Sequence, residues 1–99
     1  MQIQLRDYRV KPGEMQDWTA EWLRYVRPLR EKFGFQVLGA WVIPGDDRFI
    51  WILAREDFAA ADHRYYQSAE RLSIEPDPAR HLASTVHVFM EPAESVSRR

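Results

Sequence analysis

The segment FQVLGAWVIPGDDRFIWILAR, Phe35 to Arg55, reads as a single β-hairpin. Two apolar runs flank Pro44, Gly45, Asp46 and Asp47, residue types that favour tight turns. Side chains on a strand alternate between two faces. In the first run Phe35, Val37, Trp41 and Ile43 fall on one face, and Leu38, Ala40 and Val42 on the other. In the second, Phe49, Trp51 and Leu53 oppose Ile50, Ile52 and Ala54. Both faces are therefore apolar, whereas an antiparallel strand with one wet face should alternate apolar with polar. Helices can cover one face. The other calls for a second molecule. Parity alone leaves open which set meets the helices.

The flanking chain supplies those helices. Gln2 to Val10 reads as a strand, with Ile3, Leu5, Asp7 and Arg9 on one side and Gln4, Arg6 and Tyr8 on the other. Lys11-Pro12-Gly13 stops it. From about Gly13 to Phe33, Met15, Trp18, Trp22, Val26, Leu29 and Phe33 recur at three and four, one helical face. Glu14 and Asp17 near its start and Arg30 and Lys32 near its end suit the macrodipole, and Gly34 stands just past the end. Pro28 should kink this helix and curve it around the sheet. Asp57 is placed to cap a second helix whose stripe is Phe58, Ala61, Tyr65, Ala69 and Leu72. Ser73 to Pro78 is irregular, and Asp77-Pro78 can open one further turn. Ser84 to Glu91 reads as the last strand.

The order β-α-β-β-α-β describes an α+β, ferredoxin-like domain: an antiparallel four-stranded sheet with both helices on one face and the first and third strands central. Residues 1–92 form this single domain, and 93–99 read as a polar, disordered tail. Ninety-nine residues suit one domain, and the formal charge of −1 offers no general attraction to nucleic acid or anionic membrane. With no cysteine, disulfides, thiolate metal sites and a cysteine nucleophile are excluded, and a reducing cytoplasm is compatible. No signal peptide is expected, and no apolar run approaches the roughly 20 residues of a membrane span.

Several stretches then resemble a family. LRDYRVKPGEMQDW (5–18), PLREKFGFQVLGAW (28–41) and WILARED (51–57) are similar to the NIPSNAP family: a strand closing on an aromatic, a K-P-G turn, a helix ending near P-L-R-x-x-x-G-F, and a G-x-W strand. The likeness covers most of Leu5 to Asp57 and continues more weakly to Pro92. It implies a dimeric α+β barrel, two ferredoxin-like subunits paired through their sheets. The family is largely uncharacterised, with roles in vesicle traffic and organelle signalling proposed for eukaryotic members. The wider superfamily holds cofactor-free monooxygenases, isomerases, decarboxylase-like enzymes and haem proteins. Many relatives resemble H-L-W where this chain has Trp51-Ile52-Leu53, so any role of that histidine is absent here.

Three histidines are candidates for chemistry. His63 falls off the apolar stripe and should face solvent, and His81 on a Pro-rich, charged turn should also lie at the surface. His87, between Val86 and Val88, is the candidate general base, or else a histidine bonded across a dimer interface. Tyr66 could position substrate or donate a proton, or serve as amphipathic filler. Arg6, Arg9 and Arg55 lie at strand positions and could bind a carboxylate, Arg55 alternatively pairing with Glu56 and Asp57 beside it. Tyr8, Trp22, Trp41, Trp51 and Tyr65 could line an apolar ligand site. For Trp41 and Trp51 the ordinary explanation is cross-strand contact. No spacing suggests a metal site, no glycine-rich phosphate loop or GxSxG nucleophile occurs, and RFIWILAR lacks the basic-Gly-aromatic signature of RNA-binding sheets.

The expectation is a homodimer binding a small, mostly apolar or aromatic metabolite between sheet and helices, without a cofactor, nucleic acid or membrane partner. If it catalyses, the resemblance implies cofactor-free oxygenation or isomerisation, with His87, Tyr66 or Arg55 as acid, base or anchor. The alternative is a binding or assembly protein without turnover.

Overall fold

A computed structural model describes residues 1–98. Four strands, β1 (Gln2–Val10), β2 (Gln36–Ile43), β3 (Arg48–Arg55) and β4 (Leu82–Met90), form one antiparallel sheet in the order β2-β3-β1-β4. β1 and β3 are central, as the βαββαβ reading requires. The helices α1 (Met15–Glu21), α2 (Arg27–Lys32) and α3 (Phe58–Gln67) supply the cover for one face. On that face Phe49, Trp51 and Leu53 are buried with Trp18, Trp22, Val26 and Phe58. Trp22 meets Phe49 and Trp51 edge-on at 5.2 and 5.4 Å between ring centroids, a geometry aromatic pairs favour.

The outer face carries Ile50 and Ile52 beside Ile3 and Leu5 of β1, flanked by Trp41 of β2 and by Val86, Val88 and Met90 of β4. Trp41, Val86 and Val88 are each about half exposed. Polar pairs stand at one end of this face, Asp7 with Arg48 at 2.7 Å and Arg9 with Asp46 at 3.3 Å. Both faces of the hairpin are apolar, as read, but its first strand does not alternate as simply as expected. Val37 pairs with Leu53 and Gly39 with Ile52, so Leu38 bulges out between them without a partner. Beyond the bulge parity reverses. Ala40, opposite Trp51, packs against the core, whereas Trp41, opposite Ile50, faces outward. Trp41 and Trp51 thus lie on opposite faces, which corrects the expected cross-strand contact.

The long first helix breaks where proline demands it. A π turn, Trp22–Val26, joins α1 to α2, with Arg27 N–H bonded back to the Trp22 carbonyl. Pro28 cannot donate, and its ring crowds the carbonyl four residues earlier; a wider turn relieves both. The end of α2 follows the Schellman pattern: Phe35 N–H reaches Arg30 O at 3.0 Å and Gly34 N–H reaches Glu31 O, with Gly34 at φ +86°.

Two other expectations need correction. Asp57 precedes α3 but sits in the left-handed region and caps nothing with its side chain; Gln2 of β1 instead accepts from Phe58 N–H at 2.9 Å. The second helix does not reach Leu72 unbroken. Ser68 is extended, its hydroxyl donates to Tyr65 O and accepts from Arg71 N–H, and a separate turn α4 (Ala69–Leu72) follows with Leu72 exposed. Asp77 and Pro78 open the 3-10 turn Pro78–His81 as expected, the Asp77 carboxylate accepting from Ala79 N–H. The segment read as a disordered tail forms a short helix, α5 (Ala93–Ser97); Arg99 lies outside the described residues.

Candidate functional site

The face of β1 carrying Gln4, Arg6 and Tyr8 turns inward, under the helices, while its Ile3 and Leu5 face outward. Polar side chains in a core need partners, and here they find them. Arg6 is completely buried. Its Nη2 donates to Asp62 Oδ1 of α3 at 2.9 Å, its Nε to Gln4 Oε1 at 2.7 Å, and its Nη1 to the hydroxyls of Tyr66 and Tyr8 at 2.9 and 3.3 Å. Arg30 of α2, also buried, donates to the same Asp62 Oδ1 at 2.6 Å. Its guanidinium lies 3.8 Å from the centroid of Tyr65 and 4.7 Å from that of Phe35.

Local geometry explains these positions. Trp22, Val26 and Arg30 follow one another at four-residue steps. The π turn closes five residues along rather than four, so this spacing stays on the inner side and Arg30 is buried where Leu29 is only half so. Asp62 stands four residues after Phe58 and four before Tyr66, so it borders the buried stripe of α3.

Above this cluster lies a pocket of about 220 Å³ between sheet and helices. Tyr8, Trp18, Trp51, Tyr65, Tyr66 and Arg30 form its walls, and Thr85 and His87 stand at its edge on β4. Burial raises the titration of the Tyr8 and Tyr65 phenols, opposed by the charge of Arg6 on the first and of Arg30 on the second. Both stay protonated at neutral pH. Burial pulls Arg6 down, but Tyr8, Tyr66 and Asp62 together outweigh it, and the guanidinium stays charged. His87 is shifted below the ordinary histidine value, first by loss of water on its inner side and then by Arg6.

The pocket brings together five of the side chains singled out from sequence: His87, Tyr66, Tyr65, Tyr8 and Trp51. His87 is not a buried imidazole, however; on the edge strand it is exposed. Arg55 is elsewhere. Its Nε donates to Phe33 O at 2.9 Å and its guanidinium lies against Gly34, so it closes the end of α2 rather than facing the pocket. Trp22 and Trp41 border a separate depression along β2. His63 is exposed as expected, but His81 is buried, its two ring nitrogens 2.8 Å from Glu14 and 2.9 Å from Glu21. The charged turn is folded down onto α1, which removes this imidazole from water. Among the described residues no three His, Asp or Glu side chains cluster so as to hold a metal ion, and no helix is long and apolar enough to cross a membrane.

Sequence reading singles out Arg6 as a possible carboxylate binder, though not its burial, and misses Arg30 and Asp62. The signal was present in the spacing: Arg6 shares a face with Tyr8, Arg30 extends the Trp22–Val26 step, and Asp62 lies between Phe58 and Tyr66 on one side of α3.

The fold and this inward polar cluster define an α+β, ferredoxin-like protein with a pocket between sheet and helices. Solved structures share that fold. An uncharacterised NIPSNAP domain protein from Burkholderia xenovorans superposes with a TM-score of 0.82 at 18% identity, over 94% of this chain and 95% of the other. A NIPSNAP family protein from Agrobacterium tumefaciens gives 0.83 at 15% identity, over 94% and 93%. A candidate antibiotic biosynthesis monooxygenase from Nitrosomonas europaea gives 0.68 at 16% identity, over 94% and 99%. No curated protein matches the chain. The NIPSNAP family model matches residues 3–71, and the chain belongs to that family.

Proposed function

We propose that the protein binds a small, mostly apolar or aromatic metabolite in the pocket between sheet and helices, and that it works as a homodimer. The observation that carries the ligand reading is the convergence of Trp18, Trp51, Tyr65 and Tyr66 around one pocket whose polar groups come from five separate elements. Small-molecule sites combine apolar walls with a few placed polar groups. At 220 Å³ the space suits a one- or two-ring molecule.

Turnover without a cofactor is the chemistry this site favours, of the oxygenating or isomerising kind that the monooxygenase-like neighbour suggests. His87 at the rim, held neutral at pH 7, would take a proton, and Tyr66 would position or protonate the substrate oxygen. A cysteine-free chain suits a reducing cytoplasm, and we assign it there.

The dimer reading rests on the outer face. Leu5, Trp41, Ile50, Ile52, Val86 and Val88 form an apolar surface that reaches all four strands and is interrupted at Asp7. Monomers rarely expose apolar patches beyond roughly 300–600 Å², and twofold pairing of identical sheets is the simplest closed cover.

The test is tryptophan fluorescence against a panel of one- and two-ring aromatic compounds, with native mass spectrometry of the purified protein for a retained small molecule. Saturable quenching is expected. No saturable change with any compound, on folded protein, overturns the ligand reading.

A further inference from the structure

The charge inventory of the pocket narrows what it can hold. Two buried guanidinium groups, Arg6 and Arg30, meet a single carboxylate oxygen of Asp62. One positive charge is left over in a place where water cannot screen it. Arg71, which also lines the pocket, is matched by Asp77 at 2.9 Å and adds no surplus. Among the described residues no aspartate or glutamate lines the pocket.

The hydrogen-bond inventory points the same way. Arg6 Nη1 donates to both the Tyr8 and Tyr66 hydroxyls, so each phenol oxygen is already an acceptor and its own hydrogen is free to donate. Both tyrosines line the pocket. Behind them lie buried donors without a hydrogen-bond partner among the described residues: Trp18 Nε1, Trp51 Nε1 and Arg30 Nε, each on a lining residue. Unpaired buried donors are uncommon; Thr19 Oγ1 and Trp22 Nε1 lie away from the pocket, but these three and the Tyr65 hydroxyl belong to side chains around one space with a positive surplus. Two hydroxyl donors sharing one buried guanidinium at the wall of a pocket are an arrangement suited to stabilising an oxyanion.

Resting on the ligand-binding reading above, we infer that the pocket takes a planar, conjugated monoanion, its ring among Trp18, Trp51 and Tyr65 and its charged oxygen on the Tyr8 and Tyr66 hydroxyls. A carboxylate and an enolate share this chemistry. A neutral hydrocarbon would leave the surplus charge and the free hydroxyls unanswered. A dianion would meet one charge too few.

The experiment compares 2-naphthoate with its neutral isostere 2-naphthamide, followed by NMR shifts of the tryptophan indole N–H signals of the full chain at pH 7.5. Naphthoate should bind at least tenfold more tightly, moving the Trp18 and Trp51 signals. In Tyr66→Phe, a change at a partly exposed side chain that the fold should tolerate, most of that preference should vanish. Naphthamide binding as tightly as naphthoate overturns the anion inference and leaves the pocket reading standing. A preference for naphthoate that survives intact in Tyr66→Phe overturns the assigned oxyanion seat. If neither compound shifts an indole signal at millimolar concentration, both readings fall together.

Discussion

Arg6 and Arg30 converge on one oxygen atom: Asp62 Oδ1 lies 2.9 Å from the first and 2.6 Å from the second. One carboxylate on α3 thereby ties a central strand to α2. Removing one partner of a buried ion pair typically costs about 3–5 kcal/mol, because the remaining charge is stranded. Asp62→Ala strands two, against a total stability of roughly 5–15 kcal/mol for a domain. Urea denaturation should show a loss in that range. The double change Asp62→Leu with Arg30→Met should recover part of it, since an apolar replacement of a buried pair is often close to neutral. A loss below about 1 kcal/mol for Asp62→Ala would mean the arginines find other partners.

The histidines should separate by burial. His63→Ala, at an exposed site, should fall within about ±0.5 kcal/mol of wild type. His87→Ala, on an exposed edge, should change stability little while weakening whatever the pocket binds. His81→Ala should cost more than either, because Glu14 and Glu21 lose the group between them. Equal denaturation midpoints for the His63 and His81 variants would contradict this order.

His81 also makes stability depend on pH. Both of its ring nitrogens face carboxylates, and only the imidazolium can donate from both. Its pKa lies above the ordinary 6.5, chiefly through the bond to Glu21 and then through Glu14. The stabilisation is therefore fully present below about pH 6.5 and is lost as pH rises through the higher folded-state value. Glu21, lowered by Arg80 first and then by His81, contributes stability above the ordinary 4.5 that is lost as pH falls through its lower folded value. Melting temperature should decline from pH 6.5 toward 8.5, and His81→Gln should flatten that decline. His87, shifted downward, acts in the opposite sense and weakens the fold only on the acid side of 6.5. A wild-type melting temperature that stays level across the alkaline range would remove His81 from this role.

Trp51 and Ile52 are neighbours with opposite fates. Trp51 is 1% exposed beneath the helices, whereas Ile52 faces outward. Trp51→Glu should prevent folding. Ile52→Glu should fold and shift the mass toward monomer, as read by light scattering at micromolar concentration. A soluble wild-type monomer under those conditions would refute the sheet-mediated dimer.

Much of this architecture could be read from residue order. The two-faced hairpin, the helical stripe from Met15 to Phe33 and the central positions of β1 and β3 follow from periodicity, which packing obeys whenever an apolar face must be covered. What periodicity could not reveal were departures from the regular repeat. The extra residue at Leu38 reverses strand parity, and the π turn before Pro28 re-phases the helix, so Trp41 went unrecognised as an outward residue and Arg30 as an inward one. The site was partly legible for a related reason. Its aromatic walls stand at apolar positions, whereas its charged floor occupies positions where arginine and aspartate ordinarily mean solvent. Arg6 was assigned to a polar strand face because only the assembled tertiary partners make its burial affordable.

The bulge at Leu38 has a further consequence, for which changes the protein can survive. Substituting Leu38 alters one exposed side chain. Deleting it removes the bulge and leaves the later pairings of β2 in place: Gly39 stays opposite Ile52, Ala40 keeps its position against Trp51, and the Trp41 indole remains on the outer sheet across Gly39. One codon removed here would thus move no indole into the core and strip no aromatic from the opposite surface. Neither length nor identity is what descent must hold fixed at Leu38; it is the register of the residues that follow it.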